Sequence, residues 1–193
     1  MPRKPEDSRA AILVAAERLL RKRGAGAPTL EAVSREARCA KGLVTYHFAS
    51  KAALLAAVAE AMGRSRTGRW EAAFERASAE AAIRATWDLI LAECRDGTSA
   101  ALATLRAELD RVTVQAVSSH ASGFGRSLAV AINAMLRATD LKASVPISEL
   151  GWYLAAVVEG MEIILDSGAD PHELQGAYAA AWLGILSVTR RAD

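Results

Sequence analysis

Apolar residues recur at three- and four-residue intervals almost from end to end of the chain, the spacing of helices that each bury one face. Between residues 7 and 24, Ile12, Leu13, Ala16, Leu19 and Leu20 share one side; Asp7 or Ser8 can cap the start, and Gly24 follows the last turn. Thr29 caps a second helix over roughly 30–37, and a third runs from about 40 to 46. Ser50 starts a fourth, whose buried stripe is Leu54, Leu55, Val58 and Met62, with Gly63 expected near its end.

The helical period continues beyond that point. Trp70 and Phe74 sit one turn apart, and Ile83, Trp87, Ile90, Leu91 and Cys94 form a stripe closed by Asp96-Gly97. Thr98 or Ser99 begins another helix, with Leu102, Leu105, Leu109 and Val112 expected inside. Over 114–139, Gly123 and Gly125 are expected to weaken or bend a helix that carries Phe124, Leu128, Ile132, Met135 and Leu136. Val145-Pro146 marks a turn before a helix that reaches about 166, and Pro171 opens a last one to about 190. The pattern predicts an all-α protein.

Composition supports that class. Hydrophobic residues make up 52% of the 193 positions and aromatics 5%, with alanine prominent and alternating β-branched runs rare. The formal net charge of +2 conceals a division. Residues 1–51 hold 11 Lys/Arg against 5 Asp/Glu, a net of +6, and the remainder is acidic, at −4. A basic N-terminal quarter on an acidic body suits a module that faces a polyanion. Cys39 and Cys94 are too few for a disulfide framework and match no zinc spacing; each is expected to be a small packed residue. The start of the chain lacks the apolar core of a signal peptide and no apolar run is long enough to span a bilayer, so a cytoplasmic protein with no membrane partner is expected.

Candidate chemistry concentrates between Thr29 and Lys51. DNA reading by a helix needs a basic surface, short side chains at the helix start, and phosphate-binding groups around it. Lys41 lies in the first turn of the third helix, and Gly42 beside it permits close approach to DNA. Thr45, one turn on, can offer a hydroxyl and a methyl to a major groove. Tyr46 and His47 end that helix, where each can bond a phosphate. Thr29 and Lys51 open the second and fourth helices, whose unpaired amides and dipoles favour an anion.

The same residues carry a resemblance to the TetR family of bacterial transcriptional regulators. The pattern runs from Ile12-Leu13-x-Ala15-Ala16 through Gly24, Thr29, Ala32-Val33 and Ala37, then Lys41-Gly42, Tyr46-His47-Phe48, Ser50-Lys51 and Leu54-Leu55. It covers the first third of the chain. The resemblance implies a three-helix helix-turn-helix DNA-binding domain (1–50) joined to a larger helical ligand-binding and dimerisation domain (51–193), acting as a dimer and usually as a repressor. It implies Lys41, Tyr46, His47 and Lys51 as DNA contacts, Thr45 facing bases or backbone, and Val33, Phe48 and Leu54 as core. Five positions in three places depart from the pattern. Arg38-Cys39 replaces Gly and a small apolar residue in the turn, implying either modest backbone strain or an altered turn. Ala40 stands where a hydroxyl would cap the third helix, and Val44-Thr45 replaces Leu-Tyr.

Simpler roles stand beside these. Thr29 is a helix cap first, Arg21-Lys22-Arg23 compensate a helix dipole, and Arg3 and Lys4 belong to a polar arm. Trp70, Phe74, Trp87, Phe124, Met135, Trp152 and Met161 are candidates for lining a hydrophobic ligand pocket, though each alone reads as ordinary core. Glu159 and Glu162 interrupt an apolar helix; solvent exposure, pairing across a dimer and recognition of a cationic ligand are all open. His120 and His172 have no evident acidic partner, so no metal, cofactor or catalytic group is expected, and the chain does not read as an enzyme. The helices of about 148–166 and 171–190 carry apolar surfaces too broad for a lone monomer and are expected to pair with a second copy. The expected function is a repressor released from a double-stranded DNA operator by a small-molecule effector. The alternative is a helical small-molecule-binding or interaction protein with no specific operator.

Overall fold

The computed structural model of the chain describes residues 5–75, 78–108 and 110–192. Arg3, Lys4 and Leu109, named above, lie outside them. Nine helices occur among the described residues: α1 (Pro5–Arg23), α2 (Leu30–Glu36), α3 (Lys41–His47), α4 (Lys51–Phe74), α5 (Ala79–Arg95), α6 (Thr98–Arg106), α7 (Arg111–Ala138), α8 (Ile147–Asp166) and α9 (Pro171–Ser187). The all-α class holds, with a helix-turn-helix at the N-terminal end and a larger helical C-terminal part. One short antiparallel pair accompanies the helices: β1 (Leu141–Ala143) faces β2 (Thr189–Arg191) in the register Leu141–Arg191, Lys142–Arg190, Ala143–Thr189.

The helices gather into two compact units, residues 1–64 with 96–120 and residues 65–95 with 121–193, so the division falls inside α4 and α7. In the first unit, Ile12, Leu20, Val33, Val44, Phe48, Leu54, Leu55 and Val58 form a buried cluster. Fully burying each of the larger ones contributes about 1.5–3 kcal/mol before ordering entropy is subtracted. The second unit has its own core around Trp70, Ile90, Phe124, Leu128, Ile132, Leu154, Val158, Trp182 and Ile185.

Several boundaries differ from those expected. α1 begins at Pro5, whose missing N–H is harmless in a first turn, and Ser8 lies inside the helix rather than capping it. α4 runs straight past Gly63 to Phe74. Gly63 is there for closeness: a Cβ on it would come within 2.5 Å of His120 Cγ on α7. α7 likewise continues unbroken through Gly123 and Gly125. Gly125 and Gly151 let α7 and α8 cross at near backbone contact, since a Cβ on Gly151 would lie 2.7 Å from Ala129 Cβ. α6 stops at Arg106, so Val112 belongs to α7 and is exposed. α9 ends at Ser187, because the following residues turn to pair with β1.

Candidate nucleic-acid interface

Two short helices and the turn between them form the candidate site. Thr29 is the N-cap of α2, with an extended backbone, and its hydroxyl oxygen accepts the Ala32 N–H at 3.1 Å. Val33 is fully buried and anchors α2, while the Ser34 hydroxyl donates to the Glu31 carbonyl at 2.8 Å. Ala37 closes α2, and the chain reverses through Arg38, which adopts a left-handed φ of 51°. Of the two outcomes open for a non-glycine residue here, strain or an altered turn, the left-handed backbone corresponds to strain. The Cys39 N–H returns to the Ser34 carbonyl at 3.0 Å and steadies the turn. Ala40 then caps α3 with no side-chain bond to the helix amides.

Val44 is the fully buried anchor of α3, and Leu43 is half-buried beside it. The opposite side carries Lys41, Gly42, Thr45 and Tyr46, all exposed, with Tyr46 at 78%. Nothing lies within 4 Å of where a Gly42 Cβ would be, so that stretch of α3 is open to an incoming surface. The Thr45 hydroxyl donates to the Gly42 carbonyl at 3.0 Å, which leaves its oxygen able to accept. The Tyr46 and His47 rings meet edge to face, with centroids 5.1 Å apart. His47 is half-buried, and its Nε2 lies 3.2 Å from Ser8 Oγ on α1. Phe48, the C-cap of α3, is buried beneath the Arg9 guanidinium, 5.3 Å from its ring centre. Ser50 accepts the Ala53 N–H at 3.1 Å, which sets Lys51 at the first residue of α4.

Within the same unit, Arg21 ties the end of α1 to the start of α6. Its guanidinium lies 2.7 Å from Asp96 and 2.6 Å from Glu17. Burial alone would lower the Arg21 pKa, but the bonds to Glu17 and the charge of Asp96 outweigh it and raise the group further. Burial would similarly raise Asp96; hydrogen bonds from Thr98 and the nearby Arg21 charge leave it below the ordinary aspartate range. The basic run Arg21-Lys22-Arg23 thus has one member engaged in a structural ion pair.

The candidate pocket residues all lie in the second unit. Trp70, Trp87, Phe124 and Met135 are buried in its core, and Phe74 and Met161 pack against it. Trp152 stands apart on α8, 49% exposed, although its ring also flanks Gly125. Aromatic contacts link Trp70 to Phe124 and Trp87 to Tyr178, with centroids 5.3 and 5.4 Å apart. Phe74 and Tyr178 both meet Trp182. Tyr178 donates to Thr86 at 2.8 Å; burial pushes its phenol above the ordinary value despite that bond.

Sequence reasoning missed a buried charge cluster in this core. Arg66, fully buried on α4, reaches Glu93 on α5 at 2.7 Å and Glu162 on α8 at 2.5 Å, and its guanidinium lies over the Phe124 ring at 4.5 Å. Arg69 and the Trp70 indole N–H donate to the other oxygen of Glu93. Glu162 is therefore neither at the surface nor left for a partner: it is paired inside its own chain, while Glu159 is half-buried. A signal did exist. Leu54, Val58, Met62, Arg66 and Trp70 recur every fourth residue, and all five are buried once α4 continues past Gly63.

Residues 12–58 match the family model for bacterial regulatory proteins of the tetR family. The sequence matches no curated protein. Among solved structures, a Mesorhizobium loti protein assigned to the TetR family superposes with a TM-score of 0.80 at 16% identity, covering 97% of this chain and 99% of that one. Reduced Escherichia coli NemR gives 0.77 at 19% identity, with 95% and 98% covered. A TetR-family transcriptional regulator from Streptomyces coelicolor gives 0.72 at 20% identity, with 94% and 95% covered. At such identities the structures establish the fold, and the family model identifies the N-terminal segment.

The fold and the helix-turn-helix segment support a class, the DNA-binding transcriptional regulators. Within the chain, residues 12–58 carry the likeness to the tetR family, and the solved TetR-family structures share its fold over nearly the whole length. No single helix among the described residues is long and apolar enough to cross a membrane.

Proposed function

We propose that this protein is a tetR-family transcriptional regulator, a cytoplasmic homodimeric repressor that a small-molecule effector releases from its operator. The observation that carries the DNA half is the exposed side of α3, where Lys41, Gly42, Thr45 and Tyr46 stand clear of the core held by Val44. Gly42 and Thr45 are short enough to let α3 enter a major groove, with Thr45 against base edges or backbone. Lys41, Tyr46, His47 and Lys51 contact phosphates. The capped start of α2 at Thr29 adds unpaired amides. Residues 1–50 act as the DNA-binding segment and 51–193 as the ligand-binding and dimerisation segment.

Dimerisation through about 148–166 and 171–190 is supported by what those helices leave uncovered. Trp152, Tyr153, Ile163 and Ile164 on α8, and Leu183 and Leu186 on α9, are exposed large apolar side chains, Leu183 at 66%. Such a concentration is characteristic of a surface that a partner covers, and a twofold pair of α8–α9 faces is self-complementary. Two recognition helices on successive major grooves sit about 34–36 Å apart and read a partly palindromic site. The effector enters among Trp70, Phe74, Trp87, Phe124, Met135, Trp152 and Met161 and favours a conformation with another spacing. Release then needs about 1–3 kcal/mol of differential affinity between the two states.

The deciding experiment is an electrophoretic shift with DNA flanking the protein's own coding region, run beside sedimentation of the free protein. A dimer that prefers one fragment, and leaves it with a compound found by thermal-shift screening, supports the reading. A monomer that binds all fragments alike removes it.

A further inference from the structure

The contact between Ser8 and His47 crosses 39 residues of sequence and joins the first turns of α1 to the last residue of α3. Ser8 is buried, and it is followed by Arg9, whose guanidinium covers the Phe48 ring. Two successive α1 residues therefore grip the end of α3 and its cap. The grip has a chemical consequence for the imidazole. One ring nitrogen, Nε2, is engaged by the protein, so only the Nδ1 edge is left for DNA. A neutral imidazole carries a single proton, and the bond made at one nitrogen decides which tautomer is held. For Nδ1 to donate to a phosphate oxygen from a neutral ring, Nε2 must accept, and the Ser8 hydroxyl must be its donor.

We propose that Ser8 is a positioning residue for DNA binding: its hydroxyl fixes the His47 ring with Nε2 facing α1 and Nδ1–H directed to the phosphate backbone. This rests on the reading of His47 as a phosphate contact. Ser8 itself touches no DNA and contributes only through the orientation and tautomer of the histidine.

The test uses the full chain and a mixed-sequence duplex at low ionic strength, because a phosphate contact acts on any DNA. Ser8→Ala is expected to weaken binding by about three- to tenfold, the equivalent of one modest hydrogen bond. Ser8→Thr, which keeps the hydroxyl, restores wild-type affinity. In a His47→Ala background, Ser8→Ala has no further effect. Nitrogen NMR of the His47 ring in wild-type protein shows the Nδ1–H tautomer, and Ser8→Ala loses that preference.

Wild-type affinity in Ser8→Ala, with His47→Ala weakened, would overturn the positioning role alone. So would an Nε2–H tautomer, or a Ser8→Ala loss that persists without His47. Unchanged binding by His47→Ala would instead remove the phosphate contact itself, and the inference with it.

Discussion

Arg66 and Glu162 lie 96 residues apart in sequence and meet at 2.5 Å, with neither side chain reaching solvent. Glu93 binds the same guanidinium from a third helix, so α4, α5 and α8 converge on one buried cation. Two fully buried carboxylates facing one fully buried guanidinium would leave an excess negative charge, and the half-exposed Arg69 on Glu93 offsets it. Desolvation costs several kcal/mol per ion, and the satisfaction here is partial: Arg66 Nε and one Nη are bonded, while the other Nη is buried without a hydrogen-bond partner among the described residues.

Removing Arg66 is therefore predicted to be far worse than removing the whole cluster. Arg66→Met leaves Glu93 and Glu162 buried without their main partner and should destabilise the protein by about 3–5 kcal/mol. The triple variant Arg66→Met, Glu93→Gln, Glu162→Gln should recover much of that loss. Urea unfolding of the two variants checks this; equal midpoints would show that the charges are not the source of the defect.

The helix-turn-helix turn offers the opposite case, a position open to improvement. Arg38 holds a left-handed φ of 51°, which an L-residue adopts at a penalty of about 1 kcal/mol that glycine avoids. Arg38→Gly should raise the unfolding free energy by about that amount. Ala40→Ser, by supplying the missing cap of α3, should add about another 0.5–1 kcal/mol. The measurement is thermal unfolding of each single variant. A lower melting temperature for Arg38→Gly would mean that the arginine side chain makes compensating contacts.

These two regions show why some of the molecule was legible in its sequence and some was not. The turn was readable because its physics is local: a cap, a reversal and a buried valine lie within a few residues, and the departures at Arg38 and Ala40 marked the strain and the bare cap that the structure has. The buried ion cluster depends on which helices meet, information no single stretch contains. Gly63 compounded the difficulty, since a glycine in a helical pattern reads equally as a terminus or as a close crossing, and only His120 of α7 distinguishes the two. The β1–β2 pair escaped for the same reason: three-residue strands acquire their meaning from partners about fifty residues apart.

Acid should reveal the contribution of Asp96. Its folded pKa is depressed, so the stability it confers is fully present above the ordinary aspartate value of about 3.9 and is lost as pH falls through the folded value. Arg21 keeps its charge throughout that range, its pKa being raised. Asp96→Asn should thus lower stability at neutral pH by about 0.2–1 kcal/mol, the range for a half-exposed pair, and the difference should shrink as acid takes the pH below the ordinary aspartate range. Denaturant melts of both proteins across pH 3–7 test this; a constant difference would mean that the carboxylate charge contributes nothing beyond its cap to Thr98.

Phosphate and base contacts are separable by salt. Lys51, at the first residue of α4, should act through its charge, so Lys51→Ala is expected to weaken binding alike on all duplexes and to reduce the slope of log affinity against log salt by about 0.9. Thr45 is uncharged and exposed on α3, and Thr45→Ala should leave that slope untouched. If Thr45 reads a base edge, its loss relaxes preference at one position of each half-site, whereas a backbone contact would weaken all sequences equally. Fluorescence anisotropy at several salt concentrations, with the selected fragment and single-base variants of it, measures both effects. An unchanged slope for Lys51→Ala removes that residue from the interface, and an altered slope for Thr45→Ala would mean that the substitution had shifted α3 itself.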